Sequence, residues 1–404
     1  MTSSASIVVP VPATPPAQTR VIVVALALML LLAAVIGQTV STRMALLFAT
    51  GSALGIVLYH AMFGFTSAFR VLLADGRSAG FRAQMVMLGV ACLLIFPALA
   101  NGSLFGQAVT GFVSPLSVSV AFGAFIFGIG MQMGGGCASG TLFAAGGGNT
   151  RMFVTLLFFV VGSVIGITHL SWWQALPSHA PVSLVKEFGW PLALALNVAV
   201  FVAAYLVVAR IELARHGMVE PVLTIRNASW LRGPWPLLAG AVGLALLNFV
   251  TLYLAGRPWG ITSAFGLWGG MALQAMHVPI DTWSGYSSAA MQQALAAPVL
   301  ADVTSVMDFG IMLGALLAAG LACKFKPDWS ISGRHLLAST IGGLLLGYGA
   351  RLAYGCNIGA FFSGIASGSL HGWMWIVFAL IGNWAGLFLR PLFNLPVPVR
   401  ASAC

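Results

Sequence analysis

The sequence predicts an all-α polytopic membrane protein with about ten transmembrane helices, short re-entrant loops or half-helices, and two inverted-topology repeats. Three observations lead to this fold class. Of the 404 residues, 59% are hydrophobic and only 6% are charged, whereas a soluble domain carries about 25% charged residues. The 48 glycines suit helices that pack closely in lipid. Two motifs also recur, in the same order, in each half of the chain.

Ten apolar segments are long enough to cross a bilayer core of roughly 30 Å. They lie near residues 21–39, 44–63, 83–99, 116–134, 152–170, 190–209, 236–256, 306–323, 335–353 and 372–389. Four shorter apolar pieces are rich in glycine, which disfavours a simple continuous helix, and they are predicted to enter the membrane without crossing it. These pieces are residues 64–72, 135–150, 258–277 and 355–370.

The first residues of the chain are polar, rich in proline and without periodicity, which is typical of disorder. The apolar run that follows is too long for a signal sequence and lacks a clean cleavage site, so it is predicted to be a retained helix. The predicted parts are a disordered cytoplasmic N-terminus (1–19), an extra transmembrane helix (20–43), repeat 1 (44–170), a connecting helix and cytoplasmic loop (171–233), repeat 2 (234–390) and a C-terminal tail (391–404).

The net charge of +10 predicts how the helices are oriented. The Lys and Arg residues lie at the ends of apolar runs and form no basic stripe for nucleic acid, so they act as topology signals under the positive-inside rule. Both termini are then cytoplasmic, in the inner membrane of a bacterium, although Arg43 and Arg257 fall on the periplasmic side. The basic, cytoplasmic loops are 70–82, 210–232 and 324–334, and the periplasmic loops without Lys or Arg are 100–115 and 278–305.

An internal repeat relates the two halves. Gly128–Phe143 reads GIGMQMGGGCASGTLF and Gly347–Phe362 reads GYGARLAYGCNIGAFF, so that four glycines, a cysteine and the final phenylalanine coincide. A shorter motif precedes each, FGFTSAF at Phe63–Phe69 and WGITSAF at Trp259–Phe265. Equivalent loops differ in charge, and hence in predicted side, which indicates an inverted repeat. Such repeats often hold a substrate at the bilayer midplane, between broken helices.

The glycine-flanked cysteines, Cys137 and Cys356, are the strongest candidates for a site. Glycine lets the backbone bend and approach a ligand, and main-chain N–H groups at the start of a half-helix favour an anion. A thiol is a soft, weak donor that suits a sulfur-bearing anion. The alternative is that both are small buried apolar residues, but recurrence at one repeat position favours a function. The predicted substrate pathway also includes Gly136, Gly140, Gly355, Asn357 and Gly359.

Three polar residues extend this pathway. Thr66 and Thr262 occupy matching positions in the two TSAF motifs, where their hydroxyls either contact an anion or form interhelical hydrogen bonds. Arg351, five residues before Cys356, either attracts an anion or extends to the membrane interface. Asp308 is the only acid near the start of a late span and gives little support to a proton relay. The sequence contains no metal-ligand spacing, cofactor motif or P-loop.

At these residues the chain resembles the YeeE/YedE sulfur-transport family. The resemblance rests on Phe63–Arg70, on Gly128–Gly140 and on Gly347–Trp373, and it covers roughly residues 44–390. It implies an integral inner-membrane protein with an hourglass-shaped arrangement of helices and short inward loops. The activity that it implies is thiosulfate uptake, often together with a small cytoplasmic sulfur-carrier protein.

By the same resemblance, Cys137 and Cys356 match two loop cysteines thought to pass thiosulfate along by S–H···S hydrogen bonds. A third cysteine of the family aligns with Thr66, whose hydroxyl contacts oxygen better than sulfur. The chain is therefore predicted to be a permease in the lipid bilayer, not an enzyme, for a small sulfur-containing anion, thiosulfate before others. The alternatives are a membrane-embedded redox enzyme or subunit that handles sulfur or selenium covalently on its cysteines, and a non-conducting scaffold for a cytoplasmic partner.

Overall fold

The structure, a computed structural model, describes residues 17–223 and 229–398. Most of the predicted disordered N-terminus, the end of the predicted tail and Cys404 lie outside the described residues. The α-helices are α1 (Thr19–Thr39), α2 (Thr42–His60), α3 (Phe65–Ala74), α4 (Ala79–Asn101), α5 (Val118–Gly134), α6 (Ala138–Gly146), α7 (Arg151–Gln174), α8 (Leu184–Phe188), α9 (Trp190–His216), α10 (Leu237–Ala255), α11 (Thr262–Ala275), α12 (Ala289–Ala296), α13 (Val303–Leu321), α14 (Gly333–Leu352), α15 (Ser363–Ile365) and α16 (Leu370–Leu389).

Short elements complete the description. Two antiparallel strand pairs join β1 (Ser103–Leu104) to β2 (Gln107–Ala108) and β3 (Leu116–Ser117) to β4 (Ser178–His179). Single 3₁₀ turns are formed by Ile280–Thr282, Val299–Ala301 and Arg390–Phe393. Asn357–Phe362 forms a π-helical turn that continues into α15.

Ten candidate membrane spans, judged by length and hydropathy, lie among the described residues. They coincide with the ten predicted segments, so the prediction of an all-α multi-pass membrane protein is confirmed. The four predicted non-crossing pieces correspond to α3, α6, α11 and residues 357–365. Their depth in the membrane stays a prediction.

Several helices begin where a side chain caps the first turn. Ser41 accepts a hydrogen bond from the main-chain N–H of Met44 at 3.2 Å, and Ser117 accepts one from Val120 at 3.2 Å. Such caps satisfy donors that the first helical turn leaves free.

The loops separate into two faces of the molecule. Arg43, at the start of α2, donates a hydrogen bond to the carbonyl of Leu254, near Arg257. His60, at the other end of α2, lines a cavity with Lys324. The two ends of α2 lie on opposite faces of the molecule, because its 19 residues span about 28 Å. We call them the Arg257 face and the Lys324 face.

The loops that share a charge character also share a face. On the Lys324 face, Arg77 forms an ion pair with Glu220, which joins two of the basic loops. On the Arg257 face, the main-chain N–H of Thr110 donates to the carbonyl of Gly256 at 2.8 Å. The assignment of the Lys324 face to the cytoplasm stays a prediction.

Both ends of the described chain lie on the Lys324 face. The Gln18 amide donates to the carbonyl of Phe325 at 2.9 Å, and Arg334 donates to the Asn394 side chain at 3.0 Å. An even number of spans lies between Gln18 and Asn394, which accounts for the placement of both on the same face.

The two halves contain the same succession of helices. In order, α2, α3, α4, α5 and α7 correspond to α10, α11, α13, α14 and α16. The packing repeats when the halves are exchanged: α2 packs on α13 as α10 packs on α4, and α7 packs on α14 as α16 packs on α5. This arrangement agrees with a duplicated chain. Inversion of the halves across the membrane stays a prediction.

Candidate functional site

Cys137 and Cys356 each cap the first turn of a short helix. The sulfur of Cys137 accepts a hydrogen bond from the main-chain N–H of Gly140 at 3.4 Å, at the start of α6. The sulfur of Cys356 accepts one from Ile358, also at 3.4 Å, at the start of the π-helical turn. Both cysteine side chains are buried. The two thiols therefore hold the same structural position in the two halves.

The chain reversal before each cysteine depends on glycine. Gly135 has a φ of +89° and Gly355 a φ of +148°, and residues with a β-carbon rarely adopt such values. A β-carbon on Gly355 would also lie only 2.7 Å from the main-chain nitrogen of Ala360. The first turn of the helix thus folds back closely over the residue that precedes the cysteine.

The first half shows a similar close approach. A β-carbon on Gly136 would lie 3.0 Å from the main-chain nitrogen of Thr141, and one on Gly140 would lie 3.5 Å from the sulfur of Cys137. Gly136 thus allows a close approach of the first turn of α6, and Gly140 lies in ordinary contact with the thiol. A role of these glycines in a substrate pathway stays a prediction.

The structure brings the two cysteines into one region. The helix α6 contacts the π-helical turn that follows Cys356, and the two thiols lie within electrostatic range of each other. The hydroxyl of Ser139 lies 3.3 Å from the sulfur of Cys137. A ligand between the short helices would therefore meet groups from both halves.

Three buried polar side chains of this region have no hydrogen-bond partner among the described residues. They are the hydroxyls of Thr66 and Thr141 and both polar atoms of the Asn357 amide. Buried polar groups are nearly always paired, and leaving one unpaired costs about 1–3 kcal/mol. These groups are therefore available to a ligand or to water. For Thr66, the predicted alternative of an interhelical hydrogen bond is not observed.

Aromatic side chains hold α3 against the π-helical turn. The rings of Phe65 and Phe69 each lie 6.4 Å from the ring of Phe361, which stacks on Trp375 at 6.3 Å. Thr66 follows Phe65 directly in α3 and is itself buried. Hydrogen bonds formed in such low-dielectric surroundings are stronger than in water.

A cavity of about 430 Å³ opens on the Arg257 face and reaches Gly355. Two half-buried arginines, Arg257 and Arg351, line it. Arg257 donates to the hydroxyl of Thr304 at 3.2 Å, and Arg351 donates to the main-chain carbonyl of Thr262. Arg351 is thus directed to the cavity wall rather than along the membrane interface, which favours the first of its two predicted roles.

The second TSAF motif and the Cys356 turn share this cavity. Thr262 and Ser263 line one part, and Gly355 and Gly359 line another. A β-carbon on Gly359 would meet no atom within 4 Å, so this glycine leaves open space beside the turn. The cavity therefore connects the Arg257 face with the backbone around Cys356.

The first TSAF motif lies toward the opposite face. Gly64 and Ser67 line two cavities of about 210 and 230 Å³, one together with Arg77 and the other together with Lys324. The motif of each half thus opens to a different face. This is the placement expected from inverted halves.

Sequence reasoning missed two residues of this region. Arg257 carried a signal, because it violates the positive-inside pattern, and its place in the cavity wall gives a physical reason for that violation. Thr141 carried none, because the equivalent repeat position is Ala360. Its unpaired hydroxyl becomes evident only from the packing.

The remaining described cysteines are free. Cys92 is buried in α4, with its sulfur 3.8 Å from the carbonyl of Ile365, and Cys323 follows the end of α13. Within the described ranges, no group of three or more His, Cys, Asp or Glu residues is placed to hold a metal ion.

Comparison with known proteins places the chain among membrane transporters. The sequence profile described as sulphur transport matches residues 60–385, a range that contains both TSAF threonines and both cysteines. The thiosulfate transporter TsuA of Spirochaeta thermophila is 29% identical over 345 residues, which cover 83% of this chain and 95% of that protein. TsuA of Escherichia coli is 26% identical over 357 residues, covering 84% and 94%. The probable transporter YedE of Escherichia coli is 32% identical over 174 residues, covering 43% and 42%.

Proposed function

Because the chain belongs to the sulphur transport family, we propose that it is a bacterial inner-membrane permease that takes up a small sulfur-containing anion, with thiosulfate as its substrate. The predicted family and the prediction of a transporter rather than an enzyme are confirmed by that membership and by the relatives' names. One observation supports the substrate class: two thiols at equivalent positions cap two short helices that contact each other, in a region with buried polar groups that have no partner among the described residues.

The anion enters from the Arg257 face, which is the periplasmic face in this proposal. The two guanidinium groups of the cavity, on Arg257 and Arg351, attract a dianion and replace part of its hydration. Arginine suits this role because its planar fork of donors matches an oxyanion. Thr262 and Ser263 add hydroxyls to the same wall.

The anion then passes between the two short helices. The thiols of Cys356 and Cys137 contact its terminal sulfur, since both are soft and polarizable. Its oxygens receive hydrogen bonds from the hydroxyls of Thr66 and Thr141 and from the Asn357 amide, the groups without a partner among the described residues. The hydroxyl of Thr66 replaces the third family cysteine and binds an oxygen instead of a sulfur.

The anion leaves toward the Lys324 face, which is then cytoplasmic, as are both termini. Lys324 lies there in one cavity with Ser67 of the first TSAF motif. A small cytoplasmic sulfur-carrier protein would receive the substrate on this face and keep its free concentration low. Copurification of the full-length chain with such a carrier in the presence of thiosulfate tests this part.

Uptake of ³⁵S-thiosulfate tests the function itself. Purified chain in phosphatidylethanolamine–phosphatidylglycerol vesicles should accumulate label, unlabelled thiosulfate should compete, and excess sulfate should compete weakly. In cells, the chain should restore growth on thiosulfate to a host that lacks other sulfate and thiosulfate uptake. Good membrane expression without growth and without vesicle uptake would reject the thiosulfate assignment. A haem, flavin or persulfide signal in the purified protein would instead favour the redox alternative.

A further inference from the structure

Asp308 is buried in α13 in a way that the proposed permeation route does not explain. Its side chain has no exposed surface, and neither carboxyl oxygen has a hydrogen-bond partner among the described residues. An isolated carboxylate in such surroundings is strongly disfavoured, whereas a protonated carboxyl is tolerated. Asp308 is therefore neutral in this conformation. A buried ionisable group in a membrane protein is expected to have a function.

The packing around Asp308 excludes water on one side. A β-carbon on Gly51 of α2 would clash with the carbonyl oxygen of Met307. A β-carbon on Gly310 of α13 would likewise clash with the carbonyl oxygen of Phe48. The turn of α13 that carries Asp308 is thus pressed backbone to backbone against α2. No other described side chain compensates a negative charge there by hydrogen bonding.

The same helix connects the two parts of the proposed route. Thr304, one turn before Asp308, accepts a hydrogen bond from Arg257 in the wall of the 430 Å³ cavity. Met312, one turn after it, packs so closely on Gly146 that no β-carbon fits there, and Gly146 ends α6, the helix capped by Cys137. Asp308 lies between these contacts, each about 6 Å away along the helix axis.

Few charged groups face Asp308 from the packed elements. Asp302 and Cys356 lie within electrostatic range of it. Arg43 and His60 stand at opposite ends of α2, each roughly 12–14 Å along the axis from Gly51. The charged and titratable groups on the elements packed against α13 are Arg20 of α1, Arg43, Tyr59 and His60 of α2, and Cys137 at the cap of α6, whereas α11 carries none.

From this geometry we infer that Asp308 is the proton-binding site of a proton-coupled anion permease, so that one proton moves with each anion. The inference rests on the proposed function. A dianion at Cys356 and an ionised Asp308 would repel each other, so anion binding favours the protonated acid. By linkage, protonation then favours anion binding to the same extent. The carboxyl takes its proton from water in the Arg257-face cavity and returns it to water on the Lys324 face.

Co-transport of a proton also reduces an electrical cost. A dianion that enters a cell with a negative interior moves two charges against the membrane potential. One proton carried on Asp308 reduces this to one charge. A pH gradient that is alkaline inside then contributes to accumulation, although the sequence contains no ATPase motif.

The test uses the full-length chain in phosphatidylethanolamine–phosphatidylglycerol vesicles, with valinomycin and potassium to hold the potential at zero. Adding thiosulfate to weakly buffered vesicles should make the external solution alkaline, in step with entry of ³⁵S label. Thiosulfate is a dianion near neutral pH, so it does not itself cause this change. Entry of label without a pH change overturns the inference and leaves the proposed function intact. No entry of label at all rejects the proposed function instead.

The Asp308→Asn variant imitates the protonated acid. It should still exchange labelled for unlabelled thiosulfate but lose both the alkaline shift and the stimulation by an inward proton gradient. Asp302→Asn, on the same helix, keeps a side-chain oxygen for the helix cap and should retain the alkaline shift. A folded Asp308→Asn protein that still moves protons, or that exchanges no thiosulfate, overturns the inference. If the variant does not fold, dicyclohexylcarbodiimide, which modifies protonated carboxyls in apolar surroundings, takes its place, and wild-type protein modified at Asp308 that keeps the alkaline shift overturns the inference.

Discussion

Arg351 donates a hydrogen bond from its guanidinium to the main-chain carbonyl of Thr262. This bond joins the last turn of α14, which leads into the Cys356 turn, to the first residue of the second TSAF motif. Both residues line the cavity of about 430 Å³ on the Arg257 face. The guanidinium is thus held at the cavity wall by a neutral acceptor, which leaves its positive charge uncompensated by a carboxylate.

Replacing Arg351 by glutamine should weaken the apparent affinity for thiosulfate by roughly tenfold to a hundredfold, the value of a charge-assisted hydrogen bond. Arg351→Lys should recover part of this, because it restores the charge without the planar fork. The concentration dependence of vesicle uptake measures both. Arg334→Gln, on the opposite face, is the control, and an unchanged KM in Arg351→Gln would contradict the role.

Gly355 and Gly359 form a matched pair that separates folding from transport. Gly355→Ala should destabilise the protein by about 1–3 kcal/mol, since it forces a β-carbon into a left-handed conformation and places it 2.7 Å from a main-chain nitrogen. Gly359→Ala meets no atom within 4 Å and should melt near the wild-type temperature. Its methyl group enters the cavity, however, so uptake should fall. Thermal unfolding in detergent and vesicle uptake measure the two effects, and equal melting temperatures would disprove the first.

Thr66 tests whether an unpaired hydroxyl serves the substrate. Because its oxygen has no partner among the described residues, Thr66→Val should not lower the melting temperature, yet it should weaken thiosulfate uptake several-fold by removing a hydrogen bond. Thr66→Cys should retain transport, since it introduces the third thiol that the resemblance to the family predicts at this position. A loss of stability in Thr66→Val with uptake unchanged would indicate a purely structural hydroxyl.

Loss of either capping thiol, Cys137 or Cys356, should be enough to lower thiosulfate uptake. Cys137→Ala and Cys356→Ala each remove the proposed sulfur contact to the substrate and a cap that accepts a main-chain N–H. Each should lower uptake at least tenfold, a little above the value of one hydrogen bond. Cys137→Ser and Cys356→Ser keep a cap, and uptake that stays low in them attributes the effect to sulfur itself. Cys323→Ala is the matched control, and normal transport by both alanine variants would refute the thiol contacts.

Much of the fold could be predicted because lipid leaves a chain few choices. Every main-chain polar group must be satisfied within the span, so a long apolar segment such as 152–170 can only be a helix, and α7 is that helix. The Lys and Arg residues at the ends of the spans predicted which loops share a face of the molecule, because a charged residue is costly inside the bilayer and stays at its surface. Arg257 broke that pattern, and its cavity shows why.

The site was predictable only in part. The repeat identified Cys137 and Cys356 as equivalent, because a duplicated chain repeats its backbone turns. It did not indicate that each sulfur caps its helix, since capping depends on the direction of one side-chain bond. Nor did it distinguish Thr66, whose hydroxyl is unpaired, from an ordinary interhelical threonine.

The sequence by itself determined the membrane class, the ten spans, the family and the paired cysteines, because hydropathy and local motifs are properties of continuous segments. Only the tertiary structure decided which polar groups are left without partners. Thr141 carries no signal in the sequence, and Asp308 gave little support to a proton relay there. Each becomes a candidate for function because helices distant in the chain bury it without a hydrogen bond among the described residues. Burial and pairing depend on which helices pack together, and no local pattern contains that information.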